Sequence, residues 1–152
     1  MTQPLRVLFV CTANSARSQL AEALLAQAGG DRVTSGSAGS RPGSGPHPLA
    51  VAVLAERGIS WEGKTSKAID AVAGEPWDLV ITVCDSARDE CPVLPGFATA
   101  HWGLPDPAGS DIGGFRAVAD GLQRSIDTLL ALPLATLTPD ALASAAGALA
   151  TP

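Results

Sequence analysis

Residues 5 to 18 read Leu-Arg-Val-Leu-Phe-Val-Cys-Thr-Ala-Asn-Ser-Ala-Arg-Ser. The apolar, β-branched run from Val7 to Val10 predicts a buried strand, and this run ends at Cys11. Five small or polar residues separate Cys11 from Arg17, where a helical pattern begins. In such a loop, successive backbone N–H groups can turn inward as an anion-binding nest, and the helix adds the positive end of its dipole. The stretch therefore predicts a strand–loop–helix unit that holds a tetrahedral oxyanion.

Cys11 is predicted to be a nucleophile aimed at the centre of that oxyanion. A helix N-terminus and a neighbouring arginine both stabilise a thiolate, so the Cys11 thiol is expected to ionise readily. The alternative is a buried core cysteine with Arg17 as a surface charge, but the spacing and the strand–loop–helix context favour function. The loop at 11–18 is not a nucleotide-binding P-loop, because it does not contain the Gly-x-x-x-x-Gly-Lys-Ser/Thr motif. The residues predicted to bind the oxyanion are Thr12, Ala13, Asn14, Ser15, Ala16, Arg17 and Ser18.

Apolar, strand-like segments alternate with helical patterns along the chain. A largely apolar strand such as residues 79–83 is typical of a parallel sheet, and right-handed crossovers then give a small doubly wound α/β fold. We expect a four-stranded parallel sheet flanked by helices on both faces, plus a C-terminal helix. We also expect one domain over residues 1–152, in which 132–152 form a helical extension that packs on the domain or contacts another copy. The predicted strands are 5–10, 32–37, 78–83 and 98–103, and the predicted helices lie near 17–28, 47–57, 86–91, 113–131 and 139–149.

The composition excludes several classes of protein. A net charge of −5 leaves no broad basic field for nucleic acid or for an anionic membrane surface. The apolar segment from Leu129 is interrupted by two prolines and an aspartate, so no membrane span is expected, and no signal peptide is visible. Three cysteines in a chain without an export signal indicate redox or nucleophilic chemistry in the cytoplasm. His47 and His101 lie far from any Cys-x-x-Cys pattern, so no metal site and no bound cofactor are predicted.

A second and a third cysteine, Cys84 and Cys91, stand seven residues apart in Val-Cys-Asp-Ser-Ala-Arg-Asp-Glu-Cys-Pro. If the segment between them is helical, seven residues advance about 10 Å along the axis, whereas a disulfide needs Cα atoms within about 7 Å. A disulfide bridge would require the helix to unwind. Its residues have only moderate helix propensity, so they oppose unwinding only weakly. The spacing therefore favours a switchable pair, with two unrelated buried cysteines as the alternative. Because Cys11 and Cys84 both follow predicted strands, all three cysteines are expected on one rim of the sheet.

Asp106 stands between Pro105 and Pro107, in a segment that follows the fourth predicted strand. The two prolines predict a stiff, extended loop that holds the carboxyl group outward. A carboxylic acid held over an oxyanion site can protonate a departing oxygen. The alternative is that Asp106 caps the next helix, and the sequence leaves both interpretations open.

Together these residues resemble the thioredoxin-coupled arsenate reductases built on the low-molecular-weight protein tyrosine phosphatase fold. The resemblance extends from Val7 to about Leu130. Cys-x5-Arg-Ser alone is moderately specific, but its combination with the downstream cysteine pair and the Asp-Pro loop is highly specific. The motifs are Cys-Thr-Ala-Asn-Ser-Ala-Arg-Ser at 11–18, Ser-Ala-Gly at 37–39, Thr-Val-Cys-Asp at 82–85, Glu-Cys-Pro-Val-Leu-Pro at 90–95 and His-Trp-Gly-Leu-Pro-Asp-Pro-Ala-Gly at 101–109.

The resemblance implies a reaction cycle. Cys11 attacks arsenate held by the loop amides and Arg17, while Asp106 protonates the leaving oxygen. Cys84 then attacks Cys11 and releases arsenite, and Cys91 resolves the resulting disulfide, so that Cys84 and Cys91 are left oxidised. Thioredoxin is implied as the reductant, although glutathione with glutaredoxin, or mycothiol, serves other reductases of this general type.

The resemblance also implies supporting roles. Ser18 donates a hydrogen bond to the Cys11 thiolate, and Asn14 braces the loop. Some relatives bind a monovalent cation beside the loop through Asn, Glu, Ser and Asp side chains. Asn14, Glu22 and Ser37 match three of these positions, whereas Lys67 stands at the fourth. The Lys67 ammonium is expected to replace the cation, so that activity depends weakly or not at all on potassium.

Two other functions fit parts of the sequence. A phosphotyrosine phosphatase of the same fold needs only Cys11, Arg17 and Asp106, and it leaves the other two cysteines unexplained. Such phosphatases usually carry aromatic residues after the Asp-Pro, whereas Ala108 and Gly109 follow here and the chain contains no tyrosine. A weak phosphatase side reaction is still expected, since phosphate and arsenate are nearly isosteric. A non-catalytic oxyanion or redox sensor would be oxidised once and would not turn over arsenate.

Overall fold

The computed structural model describes residues 4–84 and 96–148. Within these residues a parallel sheet is surrounded by helices. The strands are β1 (Leu5–Cys11), β2 (Val33–Gly39), β3 (Leu79–Thr82) and β4 (Thr99–His101), and the helices are α1 (Arg17–Gly29), α2 (Pro48–Glu56), α3 (Ile69–Val72), α4 (Ile112–Leu130) and α5 (Pro139–Gly147).

The four strands in the described residues are all parallel and lie in the order β2-β1-β3-β4. Phe9 of the central strand β1 pairs with Ser37 of β2 on one side and with Ile81 of β3 on the other. The α/β class and the four-stranded parallel sheet predicted from the sequence are confirmed. All four strands bring their carboxyl ends to one rim, which is where open α/β sheets bind ligands.

Alternate residues of β1 serve the two faces of the sheet. Val7, Phe9 and Cys11 join the larger hydrophobic cluster, while Leu8 and Val10 join the smaller one. This period of two, with both faces buried, explains why the strand is a continuous apolar run in the sequence. Residues of α1, α2, α4 and α5 belong to the larger cluster, and α3 with Trp77 packs in the smaller one.

Four predicted helices correspond to α1, α2, α4 and α5, and their ends agree to within two residues. The predicted helix near 86–91 lies outside the described residues. The sequence pattern did not predict α3 or the 3-10 turn at Gly30–Arg32. These elements have four and three residues, too few to show a periodic apolar pattern. β4 is also shorter than predicted, since Gly103 and Pro105 follow it and disfavour a strand.

The C-terminal helix α5 packs on the sheet, which is the first of its two expected roles. The Thr138 hydroxyl caps its first turn by accepting a hydrogen bond from the Ala141 N–H at 3.2 Å. Leu142 and Ala146 are buried in the larger cluster, and Trp102 Nε1 donates to the Ala146 carbonyl at 2.8 Å. None of the helices in 4–84 and 96–148 is long and apolar enough to cross a membrane.

Candidate active site

The nucleophile loop, defined here as residues 11–16, is fixed by the elements on either side. β1 ends at Cys11 on the rim of the sheet, and α1 begins at Arg17. The Val83 N–H donates to the Val10 carbonyl at 2.9 Å and holds the end of β3 beside the loop. Ala16 stands at the N-cap of α1 and has no side-chain oxygen, so the first-turn N–H groups need another acceptor. This is the local arrangement that favours a bound anion.

Backbone hydrogen bonds from residues 40–47 hold carbonyl groups of the nucleophile loop outward. These bonds run from Ser40 N to Cys11 O (3.2 Å), from Arg41 N to Thr12 O (2.8 Å), from Gly43 N to Ala13 O (2.9 Å) and from His47 N to Ser15 O (2.8 Å). In a planar trans peptide, the N–H of the next residue points the opposite way. The amides that follow these carbonyls are therefore directed into the loop, which is the arrangement that an anion nest requires.

The end of β2 approaches this loop so closely that Gly39 has no room for a side chain. A Cβ at Gly39 would overlap the Thr12 carbonyl oxygen and would lie 2.9 Å from the Asn14 backbone nitrogen. The Ser-Ala-Gly motif at 37–39 thus ends in glycine because two backbone segments touch there.

Asn14 supports the loop from behind. Its φ of 52° lies in the left-handed region, which asparagine tolerates better than most residues. Its side chain is fully buried: Oδ1 accepts the Lys67 backbone N–H at 2.8 Å, and Nδ2 donates to Ser18 Oγ at 2.7 Å. The Asn14 amide therefore ties the loop to a segment more than fifty residues away (a separation of 53).

The Cys11 sulfur receives contacts from two groups of the same unit. It lies 2.9 Å from Ser18 Oγ, and the Asn14 backbone N–H donates to it at 3.3 Å. The residue is only 2% exposed and carries no disulfide. The Asn14 N–H and the Ser18 hydroxyl are thus the two groups that contact this buried sulfur.

Arg17 connects the nucleophile loop to the Asp-Pro loop. The guanidinium is 4% exposed, donates through Nη1 to the Leu104 carbonyl at 3.2 Å, and places Nη2 3.8 Å from Asp106 Oδ2. Asp106 is half exposed, and its Oδ1 accepts the Ala108 N–H at 3.0 Å. The N-cap of α4 is Asp111, so the interpretation of Asp106 as a helix cap is wrong.

The loop and these two charged residues enclose a cavity of about 130 Å³. A cavity of this size suits a small tetrahedral anion rather than a bulky ligand. Thr12 Oγ1 is buried and has no hydrogen-bond partner within the described part of the chain, so it can serve as a donor to such an anion. Asn14 and Ser18, predicted among the oxyanion-binding residues, lie fully buried outside the lining. The lining residues are Cys11, Thr12, Ala13, Ser15, Ala16, Arg17 and Asp106.

Cys84 lies on the same rim as Cys11. Thr82 of β3 pairs with Val10 of β1, so Cys84 stands one residue beyond the level of Cys11 on the adjacent strand. Cys84 is fully buried and disulfide-bonded, whereas Cys11 is free. Cys91, the third predicted cysteine of the relay, lies outside the described residues.

The residues at the cation position of some relatives are engaged here with groups of the protein itself. Asn14 Oδ1 already accepts two N–H groups, and Glu22 Oε1 accepts the Ser37 hydroxyl at 2.5 Å. The Lys67 ammonium lies 3.8 Å from the same Glu22 oxygen and supplies a positive charge there. In 4–84 and 96–148, no group of three or more His, Cys, Asp or Glu side chains is placed to hold a metal ion.

Two buried side chains behind the loop were missed from the sequence. Trp61, in the connection between α2 and α3, donates through Nε1 to Gln19 Oε1 at 2.9 Å. Gln19 is fully buried on α1 and donates through Nε2 to the Asn14 carbonyl at 3.0 Å. The position of Gln19 next to Ser18 is a weak sequence signal for its supporting role, whereas no pattern in the sequence points to Trp61.

Comparison with known proteins finds the same unit elsewhere. The family model for low molecular weight phosphotyrosine protein phosphatase matches residues 6–141. Arsenate reductase 1 of Staphylococcus epidermidis is 39% identical over 123 residues, which are 80% of this chain and 92% of that protein. The structure of an arsenate reductase from Archaeoglobus fulgidus has a TM-score of 0.74 and 33% identity, over 83% of this chain and 99% of that chain. A thioredoxin-dependent arsenate reductase of Corynebacterium glutamicum has a TM-score of 0.59 and 34% identity, over 84% of this chain and 65% of that chain.

Proposed function

The chain belongs to the low molecular weight phosphotyrosine protein phosphatase family, and we propose that within this family it is an arsenate reductase regenerated by thioredoxin. The proposal depends on one observation, the position of two cysteines on one rim. Cys11 is free in an anion-sized cavity, and Cys84 follows the adjacent strand and is disulfide-bonded. A phosphatase has use for the first cysteine alone, whereas a reductase of this kind uses both.

In the first step the cavity binds arsenate and Cys11 attacks it. The inward N–H groups of the loop, the Arg17 guanidinium and the Thr12 hydroxyl donate to the arsenate oxygens. The Cys11 thiolate forms a bond to arsenic(V), and one arsenic–oxygen bond breaks. Asp106, which lines the same cavity, gives its proton to the departing oxygen, so that water leaves. The product is a covalent Cys11–arsenic(V) adduct.

In the second step the adduct is reduced. The Cys84 thiolate attacks the Cys11 sulfur, so that a sulfur–sulfur bond forms and the sulfur–arsenic bond breaks. The electron pair of that bond stays on arsenic, which leaves as arsenite, and two thiolates have together lost two electrons. Cys91 then attacks Cys84 and releases Cys11 as a thiolate. A free Cys11 beside a disulfide-bonded Cys84 is the combination that this step leaves, which supports the proposal.

Regeneration requires a dithiol reductant. An internal disulfide is reduced by two electrons, and thioredoxin delivers them from its own cysteine pair. The Corynebacterium glutamicum relative is a thioredoxin-dependent enzyme, which favours the same donor here. Because such a cycle needs a compartment in which thiol reductants are kept reduced, the proposal places the protein in the cytoplasm.

A weak phosphatase activity is a second candidate, because the cavity offers the same donors to phosphate as to arsenate. Cys11, Arg17 and Asp106 would then act through a phosphocysteine that water hydrolyses. The cavity lining in the described residues includes no aromatic side chain to grip a phosphotyrosine ring, so this activity should remain a side reaction.

The test is an NADPH-coupled assay with thioredoxin reductase and thioredoxin, in which arsenite is also quantified. Wild-type protein should sustain turnover, Cys11→Ser and Cys84→Ser should abolish it, and Cys91→Ser should release arsenite in a single turnover. Glutathione with glutaredoxin in place of thioredoxin is the matched control and should support little turnover. A sensor would show one stoichiometric oxidation without sustained arsenite release. Full thioredoxin-dependent turnover by Cys91→Ser would contradict the relay.

A further inference from the structure

We propose that the buried pair Gln19 and Trp61 positions the hydrogen bond that stabilises the Cys11 thiolate. Neither side chain lines the cavity, so both act through other residues. The inference rests on Cys11 as the nucleophile of the proposed function. It concerns the ionisation of Cys11, so it can be tested without arsenate or thioredoxin.

The chain of hydrogen bonds starts at the indole N–H of Trp61. An indole N–H can donate but cannot accept. Trp61 Nε1 lies 2.9 Å from Gln19 Oε1, so the oxygen of the Gln19 amide must face Trp61. Its nitrogen therefore faces the nucleophile loop, where it lies 3.0 Å from the Thr65 carbonyl and 3.0 Å from the Asn14 carbonyl.

Gln19 and the Lys67 backbone N–H together fix the orientation of the Asn14 amide. Gln19 Nε2 donates to Asn14 Oδ1 at 3.1 Å, and the Lys67 backbone N–H donates to the same oxygen at 2.8 Å. Because two N–H groups donate to this atom of the Asn14 amide, the atom must be the oxygen and not the nitrogen. Asn14 Nδ2 therefore faces Ser18 and donates to its hydroxyl oxygen at 2.7 Å.

The hydrogen bond between Ser18 and Cys11 decides whether the thiolate or the neutral thiol is favoured. Because Ser18 Oγ accepts from Asn14, its single hydrogen can point to the Cys11 sulfur, 2.9 Å away. A thiolate accepts such a bond, whereas a thiol would compete with its own hydrogen. If the Asn14 amide were reversed, Ser18 would donate to Asn14 and the sulfur would have to donate to Ser18, which favours the neutral thiol. The direction set at Trp61 and Gln19 thus promotes ionisation of Cys11.

Two substitutions test the pair, and one provides a matched control. Gln19→Met keeps a side chain of similar length without donors or acceptors, and Trp61→Phe removes only the indole donor and part of the ring. Trp77→Phe removes an equally buried indole donor, which bonds to the Val72 carbonyl at 2.8 Å in the other hydrophobic cluster. Each change is made in a Cys84→Ser/Cys91→Ser background, so that Cys11 is the one remaining thiol.

The measurement is the rate of Cys11 alkylation by iodoacetamide as a function of pH. Loss of one hydrogen bond to the thiolate should slow alkylation at neutral pH about three- to tenfold in Gln19→Met and Trp61→Phe. The rate should recover at alkaline pH, and Trp77→Phe should match the parent. The charged residues that face Cys11, Arg17 and Asp106, are unchanged in all variants. If the pH profiles superimpose, if the rate falls equally at every pH, or if Trp77→Phe shows the same shift, the proposal is wrong. If Gln19→Met does not fold, Trp61→Phe decides alone.

Discussion

The Arg17 guanidinium is almost completely buried, and its Nη2 lies 3.8 Å from Oδ2 of the half-exposed Asp106. Through Nη1 the same side chain donates to the carbonyl of Leu104, a residue 87 positions away in the chain. Arg17 therefore does two things at once: it places positive charge in the cavity and fixes the loop that carries the proposed acid.

Arg17→Lys is expected to lose most of the activity although it keeps the charge. A lysine ammonium is a compact point charge and cannot span the Leu104 carbonyl and an oxyanion as the planar guanidinium does. Loss of a charge-assisted hydrogen bond should lower kcat/KM for arsenate about ten- to hundredfold. Arg57→Lys is the control, because Arg57 pairs with Asp120 on the surface. Steady-state kinetics of both variants test this prediction. An equal loss of kcat/KM in both would show that the effect is not specific to Arg17.

Asp106→Asn is expected to lower kcat rather than raise KM. The amide keeps the size of the side chain and can still accept the Ala108 N–H, but it has no proton to give to the departing oxygen. General acids contribute about 10² to 10⁴ in rate, so kcat for arsenate should fall within that range. Asp111→Asn provides the control, since asparagine also caps a helix well and α4 should keep its first turn. An unchanged kcat in Asp106→Asn would remove Asp106 from the mechanism.

The part of the site that the sequence predicted in most detail lies within one local segment. β1, the nucleophile loop and the start of α1 form one contiguous stretch, in which an apolar run and the Cys11-to-Arg17 spacing carry the information. The role of Asp106 stayed open because its two interpretations depend on where α4 begins, and the structure places that start after Asp111.

The supports of the loop could not be predicted for a different reason. The bonds from residues 40–47 are made by backbone N–H groups, which almost every residue type offers, so side-chain identity does not reveal them. Trp61 reaches Gln19 across 42 positions without any periodic pattern. Such contacts follow from the packing of distant segments and become visible only in three dimensions.

Gly39→Ala is expected to distort the nucleophile loop. The new methyl group would overlap the Thr12 carbonyl oxygen, and backbone cannot yield as a flexible side chain can. Overpacking of this kind costs about 1–3 kcal/mol of folding stability, measurable by urea denaturation. Displacement of the loop should also lower kcat/KM about tenfold or more, because small misplacements of reacting groups are costly. Gly74→Ala is the control, since a Cβ there meets no atom within 4 Å. Wild-type activity and stability in Gly39→Ala would contradict the close contact.

Potassium is expected to have little effect on the wild-type protein, because the Lys67 ammonium already lies 3.8 Å from Glu22. Exchange of sodium for potassium should leave kcat/KM and the melting temperature nearly unchanged. Lys67→Ala leaves the Glu22 carboxylate without this partner, and since Lys67 is about one-third exposed the stability cost should be about 1 kcal/mol or less. Lys67→Asp, which restores the residue type of the relatives that bind the cation, should gain a stabilising response to potassium. Lys64→Ala is the control, since that ammonium lies 4.6 Å from the Trp61 ring centroid and its loss should create no such response. Strong potassium activation of the wild type would show that Lys67 does not replace the ion.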